Sequence, residues 1–185
     1  MSGGPNGDPS RNVKRLDEGV SVTYCQVTLP RRRRVVSTTV HDEIVVGQVV
    51  IRFLLEGEES GGAVAMFEFD VPAGAKVPVP HSHDAYDETV YGLEGTLRWT
   101  VAGTPTEVGP GEVLHIARGA VHHFDNPGSV DARALAIVTP GILGPSYFEE
   151  AAAVLAAAAG GPPDLAAIAD VMRRHGLTPV PDAGS

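Results

Sequence analysis

Cysteine is nearly absent from this sequence, since Cys25 is the only one among 185 residues. A single thiol excludes an internal disulfide and excludes a zinc site built from several thiolates. Because Cys25 lies in an apolar segment, we expect it to pack as a small hydrophobic side chain. Any metal ion that this chain holds must therefore use nitrogen and oxygen ligands.

Basic residues are also scarce, with 14 Lys and Arg against 23 Asp and Glu, which gives a formal net charge of −9. Self-repulsion opposes binding to a nucleic acid backbone or an anionic membrane surface, and no helix-turn-helix pattern is evident. The one concentrated positive run is Arg31–Arg34. A solvated turn is favoured there over an anion-binding or partner-binding patch. The expected partner of the chain is a small molecule, with no nucleic acid and no membrane.

Long apolar runs are missing as well. No run reaches the roughly 20 residues that a membrane-spanning helix needs, and the polar start of the chain lacks the apolar core of a signal peptide. We therefore expect a cytoplasmic protein. Residues 1–18 are predicted to form a flexible N-terminal arm, because they offer little apolar surface to offset the entropy of ordering.

The region of residues 19–140 contains short runs rich in Val, Ile, Thr and Phe, separated by Gly, Pro and Asp turn signals. Such runs are typical of β-strands, and their regular spacing predicts an all-β sandwich or barrel. In one run, strict alternation places Ala65, Phe67 and Phe69 on the same face, which we expect to be buried.

The composition changes after Pro140 to an Ala-rich segment, and residues 141–185 are predicted to form a C-terminal extension of two helices. The second helix begins at a Pro-Asp pair and ends at Arg-Arg-His-Gly, as expected for a capped helix. It carries an apolar stripe at helical spacing, formed by Leu165, Ile168, Val171 and Met172. We expect this stripe to pack on the exterior of the β-domain or on a second subunit.

Five of the seven histidines lie in the middle third of the chain. In the segment HSHDAYDE, a strand sends His81 and His83 to the same face, because side chains alternate along a strand. Glu88 begins the next predicted strand, close enough to add an oxygen ligand. Further on, His122 or His123, but not both, can face the same interior. Three imidazoles and one carboxylate leave one or two positions of an octahedral ion open, as a substrate or dioxygen would need.

The donor types favour one divalent transition metal ion, and Fe, Mn, Ni, Co, Cu and Zn all accept nitrogen and oxygen ligands. A further histidine, His115, lies in a predicted strand. The alternation of side chains along this strand does not show whether His115 points to the interior or to solvent. A structural role is favoured for it over participation in the site. Tyr86, Tyr91 and Trp99 are candidates to line a pocket for an aromatic substrate, but packing is favoured for them, as aromatic side chains in strands usually pack.

Two motifs in this region resemble those of the cupin superfamily. The first is formed by Gly74, His81, His83, Glu88 and Gly95, with six residues in the leading spacer where the family usually has five. The second is formed by Gly111, Gly119, His122 and Asn126. Ala117 stands where the family has a proline, which shapes a turn and ligates nothing. The resemblance covers about residues 60–140.

The resemblance implies a small antiparallel β-barrel of jelly-roll type with the metal ion inside, near one mouth. It also implies that His122, and not His123, is the third imidazole ligand. The implied metal ligands are His81, His83, Glu88 and His122. His123 then points outward, and Phe124 returns to the interior, where it is predicted to line the substrate pocket. Because proteins of this family commonly pair through strands or terminal segments, a homodimer is predicted.

An ion held by three neutral imidazoles and one carboxylate keeps positive charge, so it can bind and acidify an enol, phenol or carboxylate oxygen of a substrate. Glu88 has a second predicted role as a general base. The single domain with a helical tail also resembles bacterial quercetinase-like dioxygenases, which implies a dioxygenase-type oxygenase that acts on a small enolisable or phenolic compound. One alternative is a metal-dependent isomerase, epimerase or decarboxylase, and another is a non-catalytic metal-dependent small-molecule binding module.

Overall fold

The computed structural model describes four stretches of the chain, which are residues 13–15, 21–23, 42–76 and 79–180. Cys25 and Arg31–Arg34 lie outside these described residues. The chain divides into two units, Met1–Val36 and Ser37–Ser185. In the first unit, two short strands pair antiparallel, β1 (Val13–Arg15) and β2 (Ser21–Thr23). The sequence predicts no strand at β1, which falls within the predicted N-terminal arm.

The second unit contains two antiparallel sheets and two helices. Its strands are β3 (Glu43–Val46), β4 (Val49–Leu55), β5 (Ala65–Val71), β6 (His81–His83), β7 (Asp87–Glu94), β8 (Leu97–Val101), β9 (Thr104–Val108), β10 (Val113–Ile116), β11 (His122–Asp125), β12 (Ala132–Thr139) and β13 (Leu177–Pro179). Its helices are α1 (Pro145–Ala157) and α2 (Leu165–Arg174).

The strand order defines the fold. One sheet runs β10-β7-β12-β5-β4-β3 and the other runs β13-β6-β11-β8-β9. The prediction of an all-β antiparallel jelly roll with two C-terminal helices is confirmed. Among the described strands, each hydrogen-bonded ladder stays within its own sheet, so the β-domain is a jelly roll of two sheets without a closed ladder.

The buried faces of the two sheets form the core. On β5, Ala65, Phe67 and Phe69 are buried while the residues between them are partly exposed, as the alternation predicts. From the tail, Phe148 packs edge-on against Phe67 with ring centroids 5.1 Å apart. Burial of one such ring stabilises the fold by about 1.5–3 kcal/mol. Helix α1 therefore shares the core of the β-domain.

Close backbone approaches hold β7 in place. A Cβ on Gly92 would lie 2.0 Å from the carbonyl oxygen of Gly109, so only glycine fits at this position. At the end of the second motif, Asn126 is buried and donates from Nδ2 to the carbonyl oxygens of Val71 and Val130, each at 2.9 Å. Gly92 and Asn126 therefore hold neighbouring segments of backbone together.

The C-terminal helix α2 has the predicted caps. The Asp164 carboxylate accepts a hydrogen bond from the backbone N–H of Ala167 at 3.0 Å, and Gly176 follows the helix with a φ of +74°. The chain then forms β13, which pairs with β6. The sequence predicts no strand here, because three residues that include a proline carry no periodic signal. Within the described residues, neither helix is long and apolar enough to cross a lipid bilayer.

Candidate metal centre

Three strands from two sheets bring the site together. His81 and His83 lie on β6, and His122 lies directly opposite His81 on the paired strand β11. Glu88 comes from β7, in the other sheet. The imidazoles and the carboxylate therefore approach one another across the space between the sheets.

The three histidines predicted as metal ligands cluster together, and the Glu88 carboxylate lies beside two of them. Ring centroids are 4.5 Å apart for His81 and His122, and 4.6 Å apart for His83 and His122. The Glu88 Oε2 atom lies 3.7 Å from His83 Nε2 and 3.6 Å from His122 Nε2. Because ligand nitrogens and oxygens lie about 2.0–2.2 Å from an ion such as zinc, atoms at this spacing can share one ion.

Backbone carbonyls orient two of the imidazoles. His81 Nδ1 lies 3.2 Å from the carbonyl oxygen of Val79, and His122 Nδ1 lies 3.0 Å from that of Ala120. Each contact places the ring proton on Nδ1, which leaves the Nε2 lone pair free to bind a metal. Val79 has a φ of +74°, which is strained for a β-branched residue and typical of backbone near functional sites.

His83 is held differently. It is 3% exposed, and its Nδ1 makes no hydrogen bond with the part of the chain that the structure describes. Tyr86, which is fully buried, stacks on the imidazole with ring centroids 4.2 Å apart and an interplanar angle of 21°. Packing against this phenol ring therefore fixes the plane of His83.

Burial keeps the histidines of β6 uncharged. Burial, together with a smaller contribution from charge repulsion by the nearby His122, lowers the pKa of His81 to about 3 and the pKa of His83 to about 2. Only neutral imidazole offers a lone pair to a metal ion. The environment thus selects the ligating form at neutral pH without any metal present.

The stability of the metal-free protein is expected to fall as the pH drops below about 6.5, the pKa of histidine in an unfolded chain. Below that pH, His81 and His83 bind protons in the unfolded state but stay unprotonated in the folded state, because folding lowers their pKa values. Unfolding therefore becomes more favourable. The free energy of unfolding should decrease by about 1.4 kcal/mol per pH unit for each histidine. Urea denaturation after chelation, at several pH values from 7.5 to 5, measures this slope.

Two variants control the pH experiment. His83→Phe keeps an aromatic ring on Tyr86 but cannot titrate, so its slope should be smaller by about 1.4 kcal/mol per pH unit. His115→Ala should keep the parent slope, because His115 is exposed and contacts Thr89 on the outside of the sheet, with Nδ1 3.1 Å from Oγ1. A stability that does not change between pH 7 and 5 would contradict the prediction.

A cavity of about 280 Å³ adjoins the four side chains. Phe124 lines it, stacked on Trp99 with ring centroids 4.5 Å apart. Trp99, for which the sequence favours packing over a pocket role, lines the cavity too. His123 is not among the lining residues, and Tyr91 is 38% exposed on the outside of the other sheet. The two aromatic residues Trp99 and Phe124 thus extend from the histidine cluster into the cavity.

The C-terminal extension forms the opposite wall of this cavity. The lining residues from this part of the chain are Leu143, Tyr147, Phe148, Ala151, Leu155, Ile168, Met172 and Leu177. The expectation that the stripe on α2 packs on the exterior or on a second subunit is therefore wrong for Ile168 and Met172. Helix α1 packs against β3 and α2 packs against β13, which places both helices over the site. The periodicity reveals the stripe but not the surface on which it docks.

The opening of the cavity is marked by exposed lining residues. Gly47, Gln48 and Lys76 are exposed and border the cavity, whereas the histidine cluster is buried or partly buried. Apart from these rim residues and the four side chains of the site, the walls are almost entirely apolar or aromatic. A small molecule that enters past the rim would leave water before it reaches the histidines.

Comparisons with known proteins agree with this geometry. Residues 67–138 match the family model of the cupin domain. Quercetin 2,3-dioxygenase from Bacillus subtilis (strain 168) is 24% identical over 106 residues, which are 57% of this chain and 31% of that enzyme. The chain thus spans less than a third of the length of that curated relative.

A solved structure from Thermotoga maritima shows the same fold. A predicted oxalate decarboxylase from Thermotoga maritima aligns over 56% of this chain and 96% of its own, with 23% identity and a TM-score of 0.50. A sugar phosphate isomerase of the cupin superfamily from Silicibacter pomeroyi aligns over 51% of this chain and 60% of its own, with 24% identity and a TM-score of 0.45. The resemblance carried by the two histidine motifs is confirmed, because residues 67–138 match the cupin domain and the fold is that of the Thermotoga maritima protein.

Proposed function

We propose that the protein is a metal-dependent oxygenase of dioxygenase type that acts on a small enolisable or phenolic compound. The observation that carries the proposal is a cluster of three imidazoles, with a carboxylate beside two of them, at the side of an apolar cavity. The likeness to quercetin 2,3-dioxygenase over 106 residues supports the reaction type.

His81, His83, Glu88 and His122 would hold one divalent ion, and their nitrogen and oxygen donors suit Fe, Mn, Ni, Co, Cu or Zn. When bound, the ion supplies Lewis acidity and free coordination positions for a substrate oxygen and dioxygen. The apolar walls exclude water, which strengthens electrostatic interactions at the site and limits side reactions.

Glu88 is the proposed general base. Its side chain is buried beside His83 and His122, and its carboxylate is the one acidic group among the described residues that line the cavity. It could accept the proton of an enol or phenol whose oxygen approaches the site, which leaves a more electron-rich substrate. The Glu88 carboxylate is therefore proposed both as a ligand of the ion and as the base that accepts the substrate proton.

Tyr147 is a proposed hydrogen-bond donor to the substrate. It reaches the cavity from α1. Burial raises the pKa of this phenol, and the negative charge of Glu88 raises it further, so the hydroxyl keeps its proton. A neutral O–H facing an apolar cavity is available to a substrate oxygen.

Oxygen uptake tests the proposal. The full chain would be stripped with a chelator, reloaded with each of the six metals, and mixed with a panel of phenols, enediols and flavonols. We expect oxygen consumption that matches substrate loss with at least one metal. Equal substrate loss under anaerobic conditions would overturn the proposal in favour of an isomerase, epimerase or decarboxylase. Saturable binding without turnover under any metal would overturn it in favour of a binding module.

Assembly and location remain predictions from the sequence. The homodimer and the cytoplasmic location rest on family resemblance and on the absence of apolar runs. The proposed partner is a small-molecule substrate, since the cavity admits one and the net charge of −9 opposes nucleic acid binding.

A further inference from the structure

Aromatic side chains are concentrated around the cavity. The chain has only ten Phe, Tyr and Trp residues, and six of them line this space. They are Phe67, Phe69, Trp99, Phe124, Tyr147 and Phe148. Because these rings line the space beside the histidine cluster, a ligand in that space would make contacts with aromatic rings.

The rings form a stack that ends at the candidate metal centre. Phe124 and Trp99 are nearly parallel, with centroids 4.5 Å apart and an interplanar angle of 30°. Trp99 and His122 are also nearly parallel, with centroids 6.2 Å apart and an angle of 25°. A flat molecule that packs against the side of this row of rings, from Phe124 past Trp99, would direct one end toward His122. Each aromatic contact is worth about 0.5–1.5 kcal/mol beyond the area that it buries.

The tail helices limit the length of such a molecule. Ala151 and Leu155 of α1, together with Ile168 and Met172 of α2, line the cavity. The volume is about 280 Å³. An apolar cavity of about 150 Å³ holds one benzene molecule, so this space holds roughly two rings. A compound with three rings would exceed this volume, so it would have to extend past the exposed rim or displace the helices.

We infer that the substrate is a planar aromatic compound of one or two rings with an oxygen directed at the candidate metal centre, and that α1 and α2 set this size limit. The inference rests on the proposed function for the role of that oxygen. It narrows the phenolic and enolisable compounds of the proposal to those with at most two rings, which excludes three-ring flavonols.

Binding measurements test the size limit without any turnover. Isothermal titration calorimetry would use the full chain loaded with Zn²⁺, which has no redox chemistry. The ligands are phenol, 2-naphthol, cyclohexanol and 3-hydroxyflavone. We expect phenol and 2-naphthol to bind, cyclohexanol to bind about tenfold more weakly than phenol, and 3-hydroxyflavone to bind more weakly than 2-naphthol. Phenol and 2-naphthol should also change the fluorescence of Trp99, the only tryptophan.

Variants of α2 locate the limit. Met172→Trp fills the cavity and should weaken 2-naphthol at least tenfold, while phenol still binds. Met172→Ala enlarges the cavity and should improve binding of 3-hydroxyflavone relative to 2-naphthol. The matched control is Met66→Trp, since Met66 lies on the face of β5 opposite Phe67 and does not line the cavity. Circular dichroism identifies any variant that fails to fold, and the opposite volume changes at Met172 provide two independent tests.

Two results would overturn the inference. One is cyclohexanol binding as tightly as phenol, and the other is 3-hydroxyflavone binding the parent more tightly than 2-naphthol. Neither depends on oxygen consumption. If the size series holds while no ligand is oxidised, the proposed function fails and the ligand class stands. If flavonols are oxidised and bind best, the proposed function stands and the size limit fails.

Discussion

Replacement of His122 by alanine is expected to remove the metal ion and, with it, turnover. His122 is the central member of the cluster, with its ring centroid 4.5 Å from that of His81 and 4.6 Å from that of His83. Its Nε2 also lies 3.6 Å from the Glu88 carboxylate. Loss of a residue that only orients a ligand costs 10–100-fold in metal affinity, so loss of the ligand itself should cost at least about 100-fold.

Two measurements check the His122→Ala prediction. Elemental analysis after dialysis should find one ion per parent chain and almost none in the variant. Metal at about 100 times its dissociation constant should stabilise the parent by about 2.7 kcal/mol, and the same concentration should leave the unfolding transition of the variant nearly unchanged. His115→Ala is the control, because it removes an exposed imidazole of the same domain. A variant that binds one ion with the parent affinity would refute the assignment of His122.

The convergence of the histidines follows from local rules. Alternation along a strand predicts that His81 and His83 share a face, and both lie beside His122 in the structure. The alternation of side chains allows either His122 or His123 to face the interior. The second motif is needed to choose His122 as the third imidazole ligand. The position of Glu88 in the facing sheet could not be derived from spacing, because the sheet to which a strand belongs is a long-range property.

The closure of the cavity could not be predicted from the sequence. The apolar stripe on α2 predicts burial of Ile168 and Met172 but gives no information about their partner. That partner depends on β13, a three-residue strand that pairs with β6 and carries no periodic signal. The orientation of the His81 and His122 rings could not be predicted either, since it depends on contacts with the backbone carbonyls of Val79 and Ala120.

Replacement of Glu88 by glutamine is expected to lower the turnover number by about 10²–10⁴, the usual contribution of a general base. Glutamine has nearly the same shape and keeps one oxygen near His83 and His122, but it cannot accept a proton from the substrate. The three imidazoles remain, so part of the metal affinity should remain too. The measurement is therefore oxygen uptake per bound ion, with metal content determined on the same sample.

The control for this substitution is Glu94→Gln on the same strand. The Glu94 side chain is 66% exposed and lies 3.6 Å from Arg133 on the outside of the sheet, so oxygen uptake per bound ion should equal that of the parent. If Glu88→Gln loses its metal and binds none even when metal is added in excess, Glu88 acts chiefly as a ligand. If it keeps the metal and turns over within threefold of the parent, proton transfer by Glu88 is refuted. If Glu88→Gln keeps its metal but its turnover number falls strongly, Glu88 acts as a base, because a role as a ligand alone would be met once the ion is bound.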